Sequence, residues 1–414
     1  MRALAVALLL AATAAFAEDS DEAALALADK TQTETARASD WRVLTEGALT
    51  QTTTRAGAVQ RAQRLSLDAY YDTSLAPHWR AVFSDRLDLA WRGAPSYDDF
   101  INTLKETYVS WQPRANRLVD LGRVNLRYGV ATGYNPTDYF RFGAVRSVVS
   151  IAPASLRENR QGAVMARGQT LWDRGSLTAL YAPKLADQPN DSPFSPDFGA
   201  TNHRDRWLLA ASQKFAEDFN PQFLLYGEEH RAPQYGVNLT SLLNDATVGY
   251  LEWSGGRGPS LLAQALAQPD DGRFRSRAAT GLTYTAPSKL SVTLEYDYNE
   301  AGLDENGRIV LRDAPASSLA RYGGFVQAQQ DLATKQNLFF LARWQDAWIA
   351  RLDLSVMQRY DVVDHSRLSW LEGRYHWDRV DLALQWQRNH GGAASQFGAL
   401  PQAQVWQAVV TYFF

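Results

Sequence analysis

Val405-Trp406-Gln407-Ala408-Val409-Val410-Thr411-Tyr412-Phe413-Phe414 is the most telling segment of this chain. Counted back from Phe414 in steps of two, Tyr412, Val410, Ala408 and Trp406 form a stripe that is apolar in its middle and aromatic at both ends. Residues two apart share one face of an extended strand. In water such a strand would be an edge that invites pairing with other chains. A sheet closed into a barrel has no edge, and in lipid the same stripe needs no soluble core, with its aromatic residues placed at the two interfaces.

The other end of the chain agrees. Met1-Arg2, the apolar run Ala3 to Ala12 and the small-x-small sequence Ala15-Phe16-Ala17 have the layout of a secretory signal, so residues 1–17 are expected to be removed. Residues 18–40 are Ala- and acid-rich and read as a periplasmic N-terminal segment, either a frayed terminus or a short helix capped by Ser20. No later stretch reaches the roughly 18 uninterrupted apolar residues that a membrane helix needs. The 414 residues contain no cysteine, which excludes a disulfide frame and thiol chemistry. Removing Arg2 from the 42 Lys and Arg leaves 41 against 45 acidic residues, a balance that argues against a nucleic-acid partner. Thirteen Trp residues combined with a mean hydropathy of −0.34 conflict in a helical membrane protein. They are reconciled in a barrel, where every second residue faces a wet lumen.

From Trp41 onward the pattern has period two. Leu65-Leu67-Ala69-Tyr71, Trp79-Ala81-Phe83, Trp207-Leu209-Ala211, Leu290-Val292-Leu294-Tyr296 and Val380-Leu382-Leu384-Trp386 are examples. Such runs suit the roughly 9 to 11 residues of a tilted spanning strand. Asn220-Pro221, Ala286-Pro287-Ser288-Lys289, Trp377-Asp378-Arg379 and Gly391-Gly392 supply turn chemistry between them. The reading is all-β: residues 41–414 form one closed antiparallel transmembrane β-barrel with short periplasmic turns and long extracellular loops. Both ends lying on one side require an even strand number, hence 16 or 18. That parity exposes a gap between about 300 and 350, where either Arg308-Ile309-Val310-Leu311 is an extra strand or a turn is misplaced.

Candidate pore-lining residues follow from the alternation. Arg273, Arg275 and Arg277 share one face, and across the Pro287 turn Glu295 and Asp297 point the same way while Leu294 and Tyr296 face lipid. A basic ladder beside an acidic one would set a transverse field across a wet constriction, or the two ladders would simply neutralise each other. A second inward ladder is Arg123, Asn125 and Arg127, with Val124, Leu126 and Tyr128 expected to face lipid. It runs into Gly129-Val130-Ala131-Thr132-Gly133-Tyr134-Asn135-Pro136-Thr137-Asp138-Tyr139-Phe140-Arg141, where strand pattern stops until about Ala163. A patternless stretch this long argues for a role. Folded into the barrel at about 129–160, it would bring Asn135, Asp138 and Arg141 to a constriction; laid across the mouth, it would cap the barrel.

Enzymatic and metal readings are weak. Asp364-His365-Ser366 cannot form a relay, because neighbours on an extended chain point to opposite sides. Asp304-Glu305-Asn306-Gly307 lacks calcium-loop spacing. No catalytic residue, cofactor or metal is assigned.

The alternation and the Tyr412-Phe413-Phe414 ending resemble Gram-negative outer-membrane β-barrels. More narrowly, Leu121-Gly122-Arg123 with Gly129, Gly133 and Asn135-Pro136-Thr137-Asp138 is similar to a stretch in poorly characterised proteobacterial porin-like barrels. The resemblance implies a location in the outer membrane, contact with lipid and lipopolysaccharide, and recognition of the strand ending at Phe414 by the barrel-assembly machinery. The implied function is passive diffusion of small hydrophilic solutes. An exporter or importer of a charged oligosaccharide or polymer, and a barrel hydrolase, are the alternatives.

Overall fold

The computed structural model describes residues 39–92, 100–216 and 219–414. The expected signal peptide and N-terminal helix lie outside the described residues; Ser39 and Asp40 already belong to the first strand.

Among the described residues, alternation becomes one 18-stranded antiparallel sheet. The strands are β1 (Ser39–Thr54), β2 (Val59–Ala76), β3 (Trp79–Arg92), β4 (Phe100–Arg114), β5 (Arg117–Val124), β6 (Ala163–Trp172), β7 (Gly175–Ala182), β8 (Arg206–Gln213) and β9 (Gln222–Glu228). They continue as β10 (Gln234–Asn244), β11 (Thr247–Arg257), β12 (Phe274–Thr285), β13 (Leu290–Asn299), β14 (Gln336–Trp344), β15 (Leu352–Asp361), β16 (Arg367–His376), β17 (Val380–His390) and β18 (Gln402–Phe413). Each strand pairs with its sequence neighbour, and β1 pairs with β18 in a register that sets Gly47 opposite Val410 and Leu49 opposite Ala408. The ring therefore has no edge, and every strand can satisfy its backbone within the protein, as lipid requires. Strand number falls within the expected pair of values.

Loop lengths alternate, so the barrel has a short-turn end and a long-loop end. The turns at 77–78, 115–116, 173–174, 286–289 and 377–379 lie at the first; the connections 125–162, 183–205, 258–273 and 300–335 lie at the second. The gap near 300–350 resolves here. Residues 308–311, one option for an extra strand, belong to a helix, and 300–335 is a single long connection between β13 and β14. Asp304 accepts from the Gly307 amide and caps that helix, and the run Ile309-Val310-Leu311 is then read at helical rather than strand spacing. Among the described residues the helices, in chain order, are α1 (Pro153–Glu158), α2 (Phe198–Thr201), α3 (Leu261–Ala265), α4 (Glu305–Asp313) and α5 (Ala316–Gln329), and these lie in connections at the long-loop end.

The outer surface carries the apolar stripes and their aromatic ends. Leu65, Leu67, Leu294, Leu384 and Val410 are exposed on it. At the short-turn end Trp41 stacks on Tyr71 with ring centroids 4.0 Å apart, and Trp79 on Trp111 at 5.7 Å; toward the other end Trp253 meets Phe274 and Trp386 meets Trp406. Paired rings at both rims of an apolar band are the signature of interface girdles. A charge placed in the middle of that band should be costly: Leu294→Arg is expected to destabilise the folded barrel by about 2–4 kcal/mol, read as a lower urea midpoint for refolding into phospholipid vesicles.

Candidate functional site

The candidate site is the 125–162 connection, which folds into the barrel. Gly122 lies against the neighbouring strand with φ +136°, where a Cβ would sit 2.3 Å from the Thr107 carbonyl oxygen, so only glycine fits. Two residues later the chain leaves the wall. Val124, Leu126 and Tyr128 therefore do not face lipid as the alternation suggested. They are buried inside, packed with Phe140 against Met165, Leu180, Leu208, Leu224 and Tyr226 from β6 to β9. The expectation failed for Val124 because β5 has the opposite phase, with Leu121 exposed outside and Val124, still paired with Ala163, turned inward; Leu126 and Tyr128 lie beyond the end of the strand, where alternation no longer sets a lipid face.

Having crossed from that side, the loop is held on the far wall by two carboxylates. Glu252 on β11, fully buried, accepts from the amides of Val130 (2.9 Å), Ala131 (3.1 Å) and Thr137 (2.7 Å), and from the Thr137 hydroxyl (2.8 Å). Glu295 on β13 accepts from the amides of Thr132 (2.9 Å), Gly133 (3.0 Å) and Tyr134 (2.9 Å), and from the Tyr250 hydroxyl (2.6 Å). Successive amides that converge on one anion form a backbone nest. The glycines make it possible: Gly129 has φ +102° and a Cβ there would press on the Glu252 carboxylate, while one at Gly133 would overlap the Phe339 ring.

A second knot ties this loop to the 300–335 connection. The Asp331 carboxylate accepts from the Tyr134 hydroxyl (2.6 Å) and Asn299 Nδ2 (3.1 Å) and pairs with Arg141 (3.3 Å) and Arg277 (3.5 Å). Arg141 also donates to the carbonyls of Gln329 and Asn135. Burial pushes the Asp331 carboxyl up, but Arg141, Arg277 and Tyr134 override it and hold the group below the ordinary carboxylate range.

The remaining sequence candidates are placed as follows. Asp138 makes a two-bond pair with the buried Arg160 (2.8 and 3.1 Å), and Arg160 also donates to Asn125. Asn135 donates to the Ala131 carbonyl and to Glu252. Arg123 is buried and donates to the Pro196 carbonyl of the 183–205 connection. Arg275 points to the long-loop rim, where it pairs with Asp271 through two contacts of 2.7 Å; Arg273 precedes β12 and is exposed. Asp297 is buried beside Glu295, and Arg359 from β15 donates to the Gly133 carbonyl in the same region. Arg127 borders the open lumen. The basic and acidic ladders of β12 and β13 thus divide their work: Arg277 and Glu295 grip loops, and Arg275 sits at the rim. Glu252 and Asp331 were missed by the sequence reading. Glu252 could have been found, since it lies on the inward face of β11 with Val248 and Tyr250; Asp331 follows α5 and has no local signal.

Below the loop lies a cavity of about 2850 Å³ that opens toward the short-turn end. Wall residues Glu46, Asp68, Arg86, Lys105, Gln169, Asn238, Thr240 and Thr293 line it, with Arg127, Thr132, Ser155 and Arg157 of the infolded loop. Charges, hydroxyls and amides that converge on a space this large make a hydrated chamber suited to polar solutes.

Two outcomes test the grip. Glu252→Gln replaces an acceptor oxygen with a donor facing backbone amides, and each charged hydrogen bond lost is worth about 1.5–3 kcal/mol. Amides 129–137 should then exchange with deuterium markedly faster while the wall strands keep their protection. For Asp331, whose carboxyl is depressed in the folded state, the stabilisation is complete above its unfolded pKa of about 3.9 and is lost as pH falls through the lower folded value. Wild-type contact between the two loops should therefore loosen only in strong acid, and Asp331→Asn should loosen it at neutral pH and remove the acid step, read by the same exchange measurement.

No family model and no curated protein sequence matches the chain. Solved structures do match in fold. OccAB1 of Acinetobacter baumannii superposes with a TM-score of 0.56 at 12% identity, covering 92% of this chain and 99% of that one. OccK8 (OprE) of Pseudomonas aeruginosa gives 0.56 at 10% identity with the same coverage, and the outer membrane protein opdK of Pseudomonas aeruginosa gives 0.54 at 10%, covering 91% and 99%. At the level of fold, this chain is an 18-stranded barrel similar to outer-membrane porins.

Proposed function

We propose that the protein is an outer-membrane channel through which small hydrophilic solutes diffuse passively. The observation that carries this reading is the large, polar-lined chamber inside a closed barrel, bounded by a loop that narrows the lumen without being part of the wall. Eighteen strands enclose more space than side chains of the wall can fill. The loop turns that wide tube into a size filter, and its fixed grip on Glu252 and Glu295 keeps the filter constant in shape. No bond is made or broken.

Its orientation follows from the loops: the short-turn end faces the periplasm and the long connections face outward. The aromatic rims meet membrane lipid and lipopolysaccharide, and β18 is the strand we assign to the barrel-assembly machinery. The barrel fold shared with solved outer-membrane porins supports this reading.

Purified protein in planar lipid bilayers should give discrete conductance steps in KCl, and Glu252→Gln should make those steps noisier by freeing the loop. A wild-type protein that folds but conducts no ions would defeat the proposal.

A further inference from the structure

The infolded loop does not fill the lumen evenly. Apolar clusters weld it to the wall on most sides. Leu126, Tyr128 and Phe140 pack against β6 to β9; Ala131 and Tyr134 pack with Tyr250 and Ala279 of β11 and β12; Ile151 and Ala152 pack on the cluster of Phe339, Met357 and Trp370 in β14 to β16. Among the described residues no such cluster joins the loop to β1, β2 or β3. That sector of the wall carries charges instead.

The charges form a ladder of alternating sign. Arg64 pairs with Glu46, and Arg86 bridges Glu46 (3.1 Å), Asp68 (3.5 Å) and Asp88 (3.0 Å); Lys105 on β4 closes the series on Asp68 at 2.6 Å. Three carboxylates thus face three cations. Glu46, Asp68, Arg86 and Lys105 border the chamber. Higher on the same wall Arg64 Nε, Asp88 Oδ2 and Thr103 Oγ1 are buried without a protein hydrogen-bond partner. The wall above the chamber is therefore polar on this side, whereas apolar packing joins loop and wall on the others.

We propose that solutes pass the infolded loop along the β1–β3 wall, and that the Glu46–Arg86–Asp68–Lys105 ladder is the specificity determinant, favouring solutes that carry charges of both signs. The proposal rests on the channel reading. A lone anion that takes Lys105 leaves Asp68 with only its longer contact to Arg86 (3.5 Å), and a lone cation on Asp68 displaces Lys105, so neither gains much net attraction. A dipolar solute inserts between them and satisfies both at once. Charge balance along the wall also leaves little net potential for sorting simple ions.

The test uses the full barrel in liposomes and planar bilayers, with β-alanine, propionate and propylammonium as solutes of similar size. Wild type should show a reversal potential near zero in a KCl gradient and admit β-alanine several-fold faster than either ion. Lys105→Gln should shift the reversal potential toward cation selectivity and Asp68→Asn toward anion selectivity. The double variant, which keeps the balance and removes the pair, should return the potential to near zero yet lose the β-alanine preference. Heat-dependent gel mobility confirms folding of each variant, and the double variant, with no stranded charge, serves where a single one fails to fold. Unchanged potentials in folded single variants, or propionate entering wild type as fast as β-alanine, would overturn the proposal alone. Absence of any KCl conductance in wild type would overturn the channel reading and this proposal with it.

Discussion

A carboxylate buried in a protein must be met by donors, and two buried carboxylates on the inner wall organise everything above the chamber. Glu252 and Glu295 are buried, and most of the donors they take are backbone amides of residues 130–134 and 137, joined by the side chains of Asn135, Thr137 and Tyr250. Backbone donors cannot swing away as lysine or arginine can, so the grip sets the position of the chain itself. The conformation of Gly129, the close fit of Gly133 on Phe339 and the depth at which the loop crosses the lumen all follow from it.

The inner wall uses charge in two ways. On β11 to β13 it anchors a loop: charged and polar groups are consumed by Asp331, Arg141, Arg277 and the two glutamates, and the space among them is filled. On β1 to β4 the pairs are made between wall residues, and the space in front of them stays open. The difference lies in where the opposite charge comes from. A partner supplied by a loop brings the loop with it; a partner supplied by the next strand leaves the lumen clear.

Much of the barrel was legible in the chain. Runs such as Leu290 to Tyr298 and Val380 to Trp386 read directly as strands, because the pleat forces period two whenever one side meets lipid and the other water. The same logic misplaced Val124, whose strand has the opposite phase, and Leu126 and Tyr128, where the backbone had left the sheet, and offered Arg308 to Leu311 as a strand where Asp304 starts a helix. Within the candidate site, Gly129, Gly133 and Asn135-Pro136 announced a shaped loop. Their partners did not announce themselves: Glu252 is 115 residues from Thr137, and Asp331 is 197 from Tyr134.

By itself, then, the sequence determined the wall: alternation, turn residues and aromatic ends are local properties, each readable within about ten residues. Which inward charges face the lumen and which hold a loop follows from how the closed ring brings distant groups together. Alternation says that Arg277 and Glu295 both point inward, but whether a charge is spent on a neighbour depends on groups brought near by closing the ring. Closure places β11 and β13 opposite the end of β5, and that distance in space has no counterpart in the order of residues along the chain.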